Sequence, residues 1–511
     1  MEIDDIEQAI FGYQTGKLPK LEEFDGTENW SDEQWQDEFD RTRLWLETFF
    51  AARDPLVVLA RTAIRYIFEA SQPRDGSQKV RPLEQVEVEI AQTFLLMGDT
   101  IHKKVPTSPS NFVRYWAVMA RHIYSFIGKQ PRSDASTDSL AVVQMKARIQ
   151  TLYYRNLFTR ADCETTMRAL LKRIDLPSEK ALGYCLSDLF EAMVRVVSLV
   201  ETRIHEFLRN IRNLMSSGIR SEILESISFF RSCYPLADRV WHKCDDRFLT
   251  IEKLRYAGVQ ISELAWPWVF TLDCTTLEAS FSLPLIAALD SLALSMGSLR
   301  DTDPQHIYLN NPIWRKPYIR LAEQGLFVPQ PYLAFSFPFA IMEDLIAGHS
   351  ELQSAYISAR AEYLEATIAA IVSKSMPSAK IHRSVVWTDP ETNKRWENDV
   401  VAFLGNFVFV FEAKSGRIGD SARRGGEGKL RKNFRDLFVE PGLQGWRLQN
   451  YLDQYRKKAV LRRKSDNSII DFELDRPKVV YRYSICFEHF TTLTSTRFRG
   501  QRVSTGVLTR D

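Results

Sequence analysis

The segment Asn406–Lys414, NFVFVFEAK, limits the fold more than any other stretch of this chain. Five consecutive aromatic and β-branched residues, Phe407–Phe411, favour an extended strand buried on both faces. The dipeptide Gly405-Asn406 immediately before it is a two-residue hairpin turn signal, and the preceding run WENDVVAFL is strand-like. If those two residues form the turn, Leu404 faces Phe407 and paired positions have numbers summing to 811. Asp399 then lies opposite Glu412, and Glu397 opposite Lys414. Opposed side chains share a face, so Asp399, Glu412, Lys414 and Glu397 are expected to converge near one end of the hairpin. A three-residue loop would shift the pairing by one and spoil this unless a bulge repaired it.

A carboxylate ending a buried strand is costly unless it is paired or bound to a cation. Two carboxylates side by side repel, and a divalent cation removes the repulsion. Magnesium suits one or two protein carboxylates, with water and phosphate oxygens as its other ligands, and it activates a bound water. A lysine beside it stabilises developing negative charge. Glu-x-Lys at the end of an apolar strand also arises by chance, as a solvated strand end. Asp399 in register across the turn tips the reading toward a metal site.

Around the hairpin, the order of elements is legible. A helical run, ELQSAYISARAEYLEATIAAIVSK, precedes KIHRSVVWT, WENDVVAF and NFVFVFEAK. A helical GLQGWRLQNYLDQYRKK follows, then strand-like SIIDFEL and KVVYRYSICFE. Helix, three strands, helix and strands imply an α/β domain with a mixed sheet over about 350–490. On the first helix, Tyr356, Ala359, Tyr363 and Ala366 form the expected packed face, with Glu365 at its edge.

This arrangement resembles the PD-(D/E)xK nucleases, the restriction-endonuclease-like superfamily, and ENDVVAFLGNFVFVFEAKSG is similar to their nuclease-related branch. The resemblance covers residues 350–490 and is silent on 1–340. It implies an α-β-β-β-α-β core in which Asp399 and Glu412 hold Mg²⁺ (or Mn²⁺) and Lys414 supports the nucleophile. It also implies an acidic residue on the first helix, with Glu365 and Glu362 as candidates, and a glutamine after the third strand, with Gln444 and Gln449 fitting. No proline precedes Asp399, a departure from a frequent family feature. The activity implied is hydrolysis of phosphodiester bonds in DNA, with RNA second, in bacterial defence or DNA repair. A nuclease fold without activity, serving as a nucleic-acid-binding or scaffold protein, is the alternative. A third reading is a helical interaction protein with an unrelated enzyme at its C-terminus.

The formal net charge of the 511 residues is only +2, so any argument for nucleic-acid binding must be local. Residues 414–464 carry 15 Lys/Arg against 5 Asp/Glu. Within GDSARRGGEGKLRKNFRD, residues Arg423, Arg424, Lys429, Arg431 and Lys432 are expected on a flexible, glycine-interrupted loop that grips phosphates; a merely solvated charged face is the competing reading. These glycines make no phosphate-binding loop of the GxxxxGK[ST] kind, which excludes an encoded ATPase motor.

The remaining expectations concern the whole chain, read as an α+β multidomain protein. Residues 1–295 should be mostly helical domains that choose a substrate or a protein partner. Ser31 and Gln34 form a capping box, Pro82 opens a helix, Asp162 caps one, and the periodic stretch from Ser178 is one helix or two broken near Gly183. Ser221 starts a further helix. The Pro/Asn/Asp-rich text of 296–349 reads as a connection, and 491–511 as a polar tail. No fixed-period repeat occurs. The six cysteines show no CxxC or zinc spacing, the N-terminus lacks signal-peptide character, and no apolar run reaches the ~18 residues of a membrane span. A soluble, cytoplasmic protein with reduced thiols, working away from membranes, is therefore expected.

Overall fold

The computed structural model describes residues 27, 30–71, 82–99, 109–129, 139–155, 159–242, 246–321, 325–472 and 479–487. The N-terminal residues and the expected polar tail, 491–511, lie outside the described residues. The chain forms two units: residues 1–131 with 187–345, and residues 132–186 with 346–511. The boundary expected near 295 is therefore displaced, and part of the N-terminal helical text belongs with the C-terminal domain.

The first unit is largely helical. The Ser31 hydroxyl accepts from Gln34 N, and the Gln34 side chain accepts from Ser31 N, which starts the helix Asp32–Ala52 as expected. The helix after Pro82 begins at Gln85, where Glu84 and Glu87 form the capping box, and Gln85–Leu96 is buried at every position. A helix buried all round needs partners for its polar side chains. The text around 311–317 supplies them: Trp314 Nε1 donates to Glu89 at 2.7 Å, Asn311 Nδ2 to Thr93 Oγ1 at 2.8 Å, and Gln92 Nε2 to the Pro317 carbonyl at 2.9 Å. The expected connection over 296–349 is thus folded structure. It contributes the strands Tyr318–Arg320 and Leu326–Phe327 to a small sheet with Thr271–Leu272 and Ala293–Leu294. Its Pro and Asn residues mark short turns between buried pieces rather than a free tether.

The second unit begins with α1 (Ser139–Tyr153), α2 (Arg160–Leu171) and α3 (Asp175–Leu182). Thr159, not Asp162, caps α2: its hydroxyl accepts from Asp162 N and donates to Asp162 Oδ2 at 2.6 Å. Gly183, at φ +81°, ends α3, so the periodic stretch is two helices. Ser178 lies inside α3 rather than at a helix start, and the later helix Arg220–Cys233 begins one residue ahead of Ser221.

The chain returns with α4 (Ser350–Ser375), β1 (Lys380–Thr388), β2 (Arg395–Leu404) and β3 (Phe407–Lys414). Next come α5 (Glu427–Phe434), α6 (Glu440–Tyr455), the two-residue β4 (Arg462–Arg463) and β5 (Val479–Cys486). The sheet order is β4-β1-β2-β3-β5, antiparallel except for the parallel β3–β5 pair. This is a mixed sheet, and α6 lies in the crossover between its parallel strands. The expected strand SIIDFEL is absent among the described residues apart from a bridge at Ile469. Tyr356, Ala359, Leu364, Ile368 and Val372 are buried along α4. On α6, Leu448, Tyr451 and Leu452 pack with Val385, Trp387, Val401, Phe403, Val408 and Val410 into one core. Among the described residues, no helix is long and apolar enough to cross a membrane, and the described cysteines form no disulfide.

Candidate active site

The β2–β3 hairpin turns at Gly405-Asn406 as expected, with Gly405 at φ +55°. Its ladder runs from Leu404↔Phe407 to Val400↔Phe411, every pair summing to 811. There it stops. One step beyond, the Asp399 carboxylate takes the place of a ladder carbonyl: Oδ2 accepts from Ala413 N at 2.7 Å. Asn398 Nδ2 donates to Glu412 Oε1, while Asn398 Oδ1 accepts from Trp387 Nε1 at 3.0 Å. Side chains thus bridge the two strands where their backbones part.

The cause lies on the other flank of β2. Pairing with β1 keeps one register from Lys380↔Phe403 to Thr388↔Arg395, but Ser384 opposite Asp399 sits at φ +48° and leaves the ladder. Strict alternation would set Val385 and Trp387 on the opposite face from Val401 and Phe403. All four nonetheless share one core, and Trp387 stacks on Tyr451 of α6 at 4.4 Å. The face assignment is therefore reset at Ser384 and Asp399. This reset is why Asn398 sends its side chain to Glu412, and it corrects the expected place of Glu397. Glu397 does not pair with Lys414; its carboxylate meets Lys464 at 2.8 Å. Lys414 Nζ instead donates to Gln444 Oε1 at 2.8 Å. Of the two candidate glutamines, Gln444 is thus the one at the site. Gln449 lies five residues on, well round the helix.

Burial sets the electrostatics. Glu412 is 1 % exposed, and its Oε2 has no hydrogen-bond donor among the described residues. Its carboxyl is pushed up to about 8, first by burial and then by the Asp399 charge, against the pull of Asn398 and Lys414. Burial also raises Asp399, opposed by the Ala413 N–H and by Lys414. Such a pair keeps a proton between them near neutrality. Glu365 on α4 is raised as well, by burial and then by the charge of Asp399, with Arg383 3.7 Å away as partial compensation. It therefore feels the charge of Asp399 and, less strongly, of Glu397. Glu362 is 66 % exposed and lies 3.4 Å from Arg173.

Among the described residues no three Asp, Glu, His or Cys side chains form a ready-made metal cage. Magnesium does not require one, since one or two carboxylates with water and phosphate suffice. Asp399 and Glu412 fit that demand. They are two oppositely anchored carboxyls, and one buried oxygen is left without a donor.

The basic segment departs from expectation. It is not a flexible loop but a helical turn, Asp420–Arg423, followed by α5, and it is docked on α1. Three successive carbonyls are held by α1 side chains. Thr151 Oγ1 donates to Arg423 O at 3.0 Å, Arg148 Nε to Arg424 O at 2.9 Å and Gln144 Nε2 to Gly425 O at 2.7 Å. Val143, Ala147, Ile418, Ala422, Leu430 and Leu437 pack beneath them. Arg431 pairs with Glu427 at 3.0 Å and Lys432 with Asp436, each one helical turn away. These two charges are locally compensated, whereas Lys429 is simply exposed. Arg423 turns back to its own segment, donating from Nε to Ile418 O at 3.2 Å.

Two site residues were not anticipated. Asn398 carries the only visible hint, a neutral amide between two acids in RWEND, Glu397-Asn398-Asp399. Trp387 gave none, because its role depends on the reset at Ser384. Compared with known family models, curated proteins and solved structures, the chain matches none.

Proposed function

We propose that this chain is a divalent-metal-dependent nuclease of the PD-(D/E)xK type that hydrolyses phosphodiester bonds in DNA, with RNA the second choice. The observation that carries the reading is the meeting of the Asp399 and Glu412 carboxyls where β2 and β3 part, with Lys414 alongside. Element order supports it: helix, three antiparallel strands, helix, and a last strand parallel to β3. Asp399, Glu412 and, from α4, Glu365 would hold Mg²⁺ or Mn²⁺. Bound there, the ion would lower the pKa of a water and offset charge on the attacked phosphate.

The chain's own groups then have distinct tasks. The Ala413 N–H fixes Asp399, and Asn398, itself fixed by Trp387, orients Glu412. Glu412 must give up its proton before it can act as an anionic ligand. Gln444 holds the Lys414 ammonium in place, where it stabilises negative charge building on the phosphate. We place this activity in the cytoplasm, in bacterial defence or DNA repair by analogy of fold, with the helical first unit selecting the substrate or a protein partner.

The test is cleavage of plasmid and labelled oligonucleotides with Mg²⁺, Mn²⁺ or chelator. Asp399→Asn keeps an acceptor for Ala413 N and loses the charge. With Lys414→Ala and Glu412→Gln it should lower the rate by about 10²–10³ while DNA binding persists. A wild-type protein that binds DNA but cuts nothing under any metal would replace this reading with the inactive scaffold.

A further inference from the structure

The predicted phosphate grip, Arg423–Lys432, is largely spent on internal contacts. A different pair of cations, one in the turn before β2 and one on α6, has no ion-pair partner among the described residues. Lys394 Nζ lies 4.2 Å from the centroid of the Trp396 ring, and Arg447 Cζ lies 4.3 Å from it. Neither has a carboxylate partner among the described residues. Of the acids nearby in sequence, Glu397 is ion-paired elsewhere, whereas Glu391 and Asp389 keep their charge but accept from neutral groups rather than from these cations. Gln454 Nε2 donates to Glu391 at 2.7 Å, Thr392 Oγ1 donates to Asp389 at 2.7 Å, and Glu397 is taken by Lys464. An indole face orients a cation without neutralising it or using its N–H donors. Two preset positive groups with free donors suit phosphate oxygens, Arg through its fork and Lys as a point charge.

Their position is equally specific. Arg447 follows Gln444, which holds Lys414, by three residues on α6, so about 4.5 Å of helix axis separates them on neighbouring faces. Trp396 precedes the Asn398-Asp399 pair on β2, and its ring lies 6.4 Å from Trp387, the residue that anchors Asn398. The turn bearing Lys394 is braced on α6 through Gln454. The patch is thus tied, through α6 and β2, to the same elements that hold the catalytic groups.

We propose that Lys394 and Arg447, held over Trp396, form the phosphate-backbone site of this protein and grip the nucleic-acid strand next to the bond to be cut. The site takes phosphodiester backbone, not bases, and so adds affinity without sequence preference. This rests on the nuclease reading for its purpose, but binding can be measured without cleavage.

The experiment uses the full chain in chelator with a labelled 20-base-pair DNA duplex, and follows affinity across a salt series. Each phosphate contact contributes about 0.9 to the slope of log K against log salt. Lys394→Gln/Arg447→Gln should therefore make the slope shallower by about 1.8, and Lys180→Gln, exposed and paired with Glu351, should leave it unchanged. With Mg²⁺, the double variant should raise KM and keep kcat at saturating DNA. An unchanged slope in the double variant, or wild-type binding to the duplex with no salt dependence, overturns the site. If wild type cuts DNA while the slope does not move, this site alone fails. If the slope moves but no metal supports cutting, the nuclease reading fails and the grip stands.

Discussion

Glu412 carries opposing demands. Its carboxyl is raised from an ordinary 4.5 to about 8, so the folded chain keeps a proton that the unfolded chain has lost. The linked stability is fully present below about pH 4.5 and is lost as pH rises through about 8. Glu412→Gln should therefore gain on wild type in thermal unfolding as pH increases from 5 to 8.5, while destroying cleavage; equal midpoints at every pH would refute the assignment. Metal binding runs the other way. Because Mn²⁺ must displace that proton, its affinity should rise up to about pH 8, with proton release seen by calorimetry in buffers of different ionisation enthalpy. Gln444→Ala has a narrower expected effect. Freed from its acceptor, Lys414 should lose about tenfold in kcat with KM little changed. An effect on KM alone would assign Gln444 to substrate binding instead.

At the scale of elements, the hairpin was legible because turn chemistry and an apolar strand jointly fix one register. Asp399, Glu412 and Lys414 follow from it by counting. Gln444 was legible only through family resemblance. The exchange of Asn398 for Asp399 as the partner of Glu412 was not legible, since it depends on Ser384 adopting a left-handed conformation that no sequence rule demands there. The basic segment was misjudged for a related reason. Its glycines suggest mobility, yet Gly425 serves a docked turn: at φ +84° it leaves only 3.0 Å between an added Cβ and Arg148 Nε. Gly425→Ala should cost about 1–2 kcal/mol from the backbone alone. It should also speed proteolysis within 420–434, measurable by limited digestion; unchanged cleavage would mean that α1 does not hold this turn.

At the scale of the whole molecule, composition and periodicity identified a helical majority and a mixed C-terminal sheet, but not the division between the units. Residues 132–186 read like any other helical text. What assigns them is packing with distant partners, such as Val143 and Ala147 against Ile418, Ala422 and Leu430. Such complementarity across more than half the length of the chain leaves no local signature. Residues 346–487 expressed alone should accordingly be less stable than the same segment in the intact chain, exposing the α1-facing surface to hydrophobic dyes. A fully stable, dye-silent fragment would show the packing to be dispensable. The same topology has a consequence for synthesis. At ribosomal speeds of about 5–20 residues per second, residues 132–186 wait on the order of ten to forty seconds before their sheet begins to emerge. On the proposed reading, a nascent chain would carry an unframed carboxyl pair, harmless until Val479–Cys486, the last of the described strands, has been released.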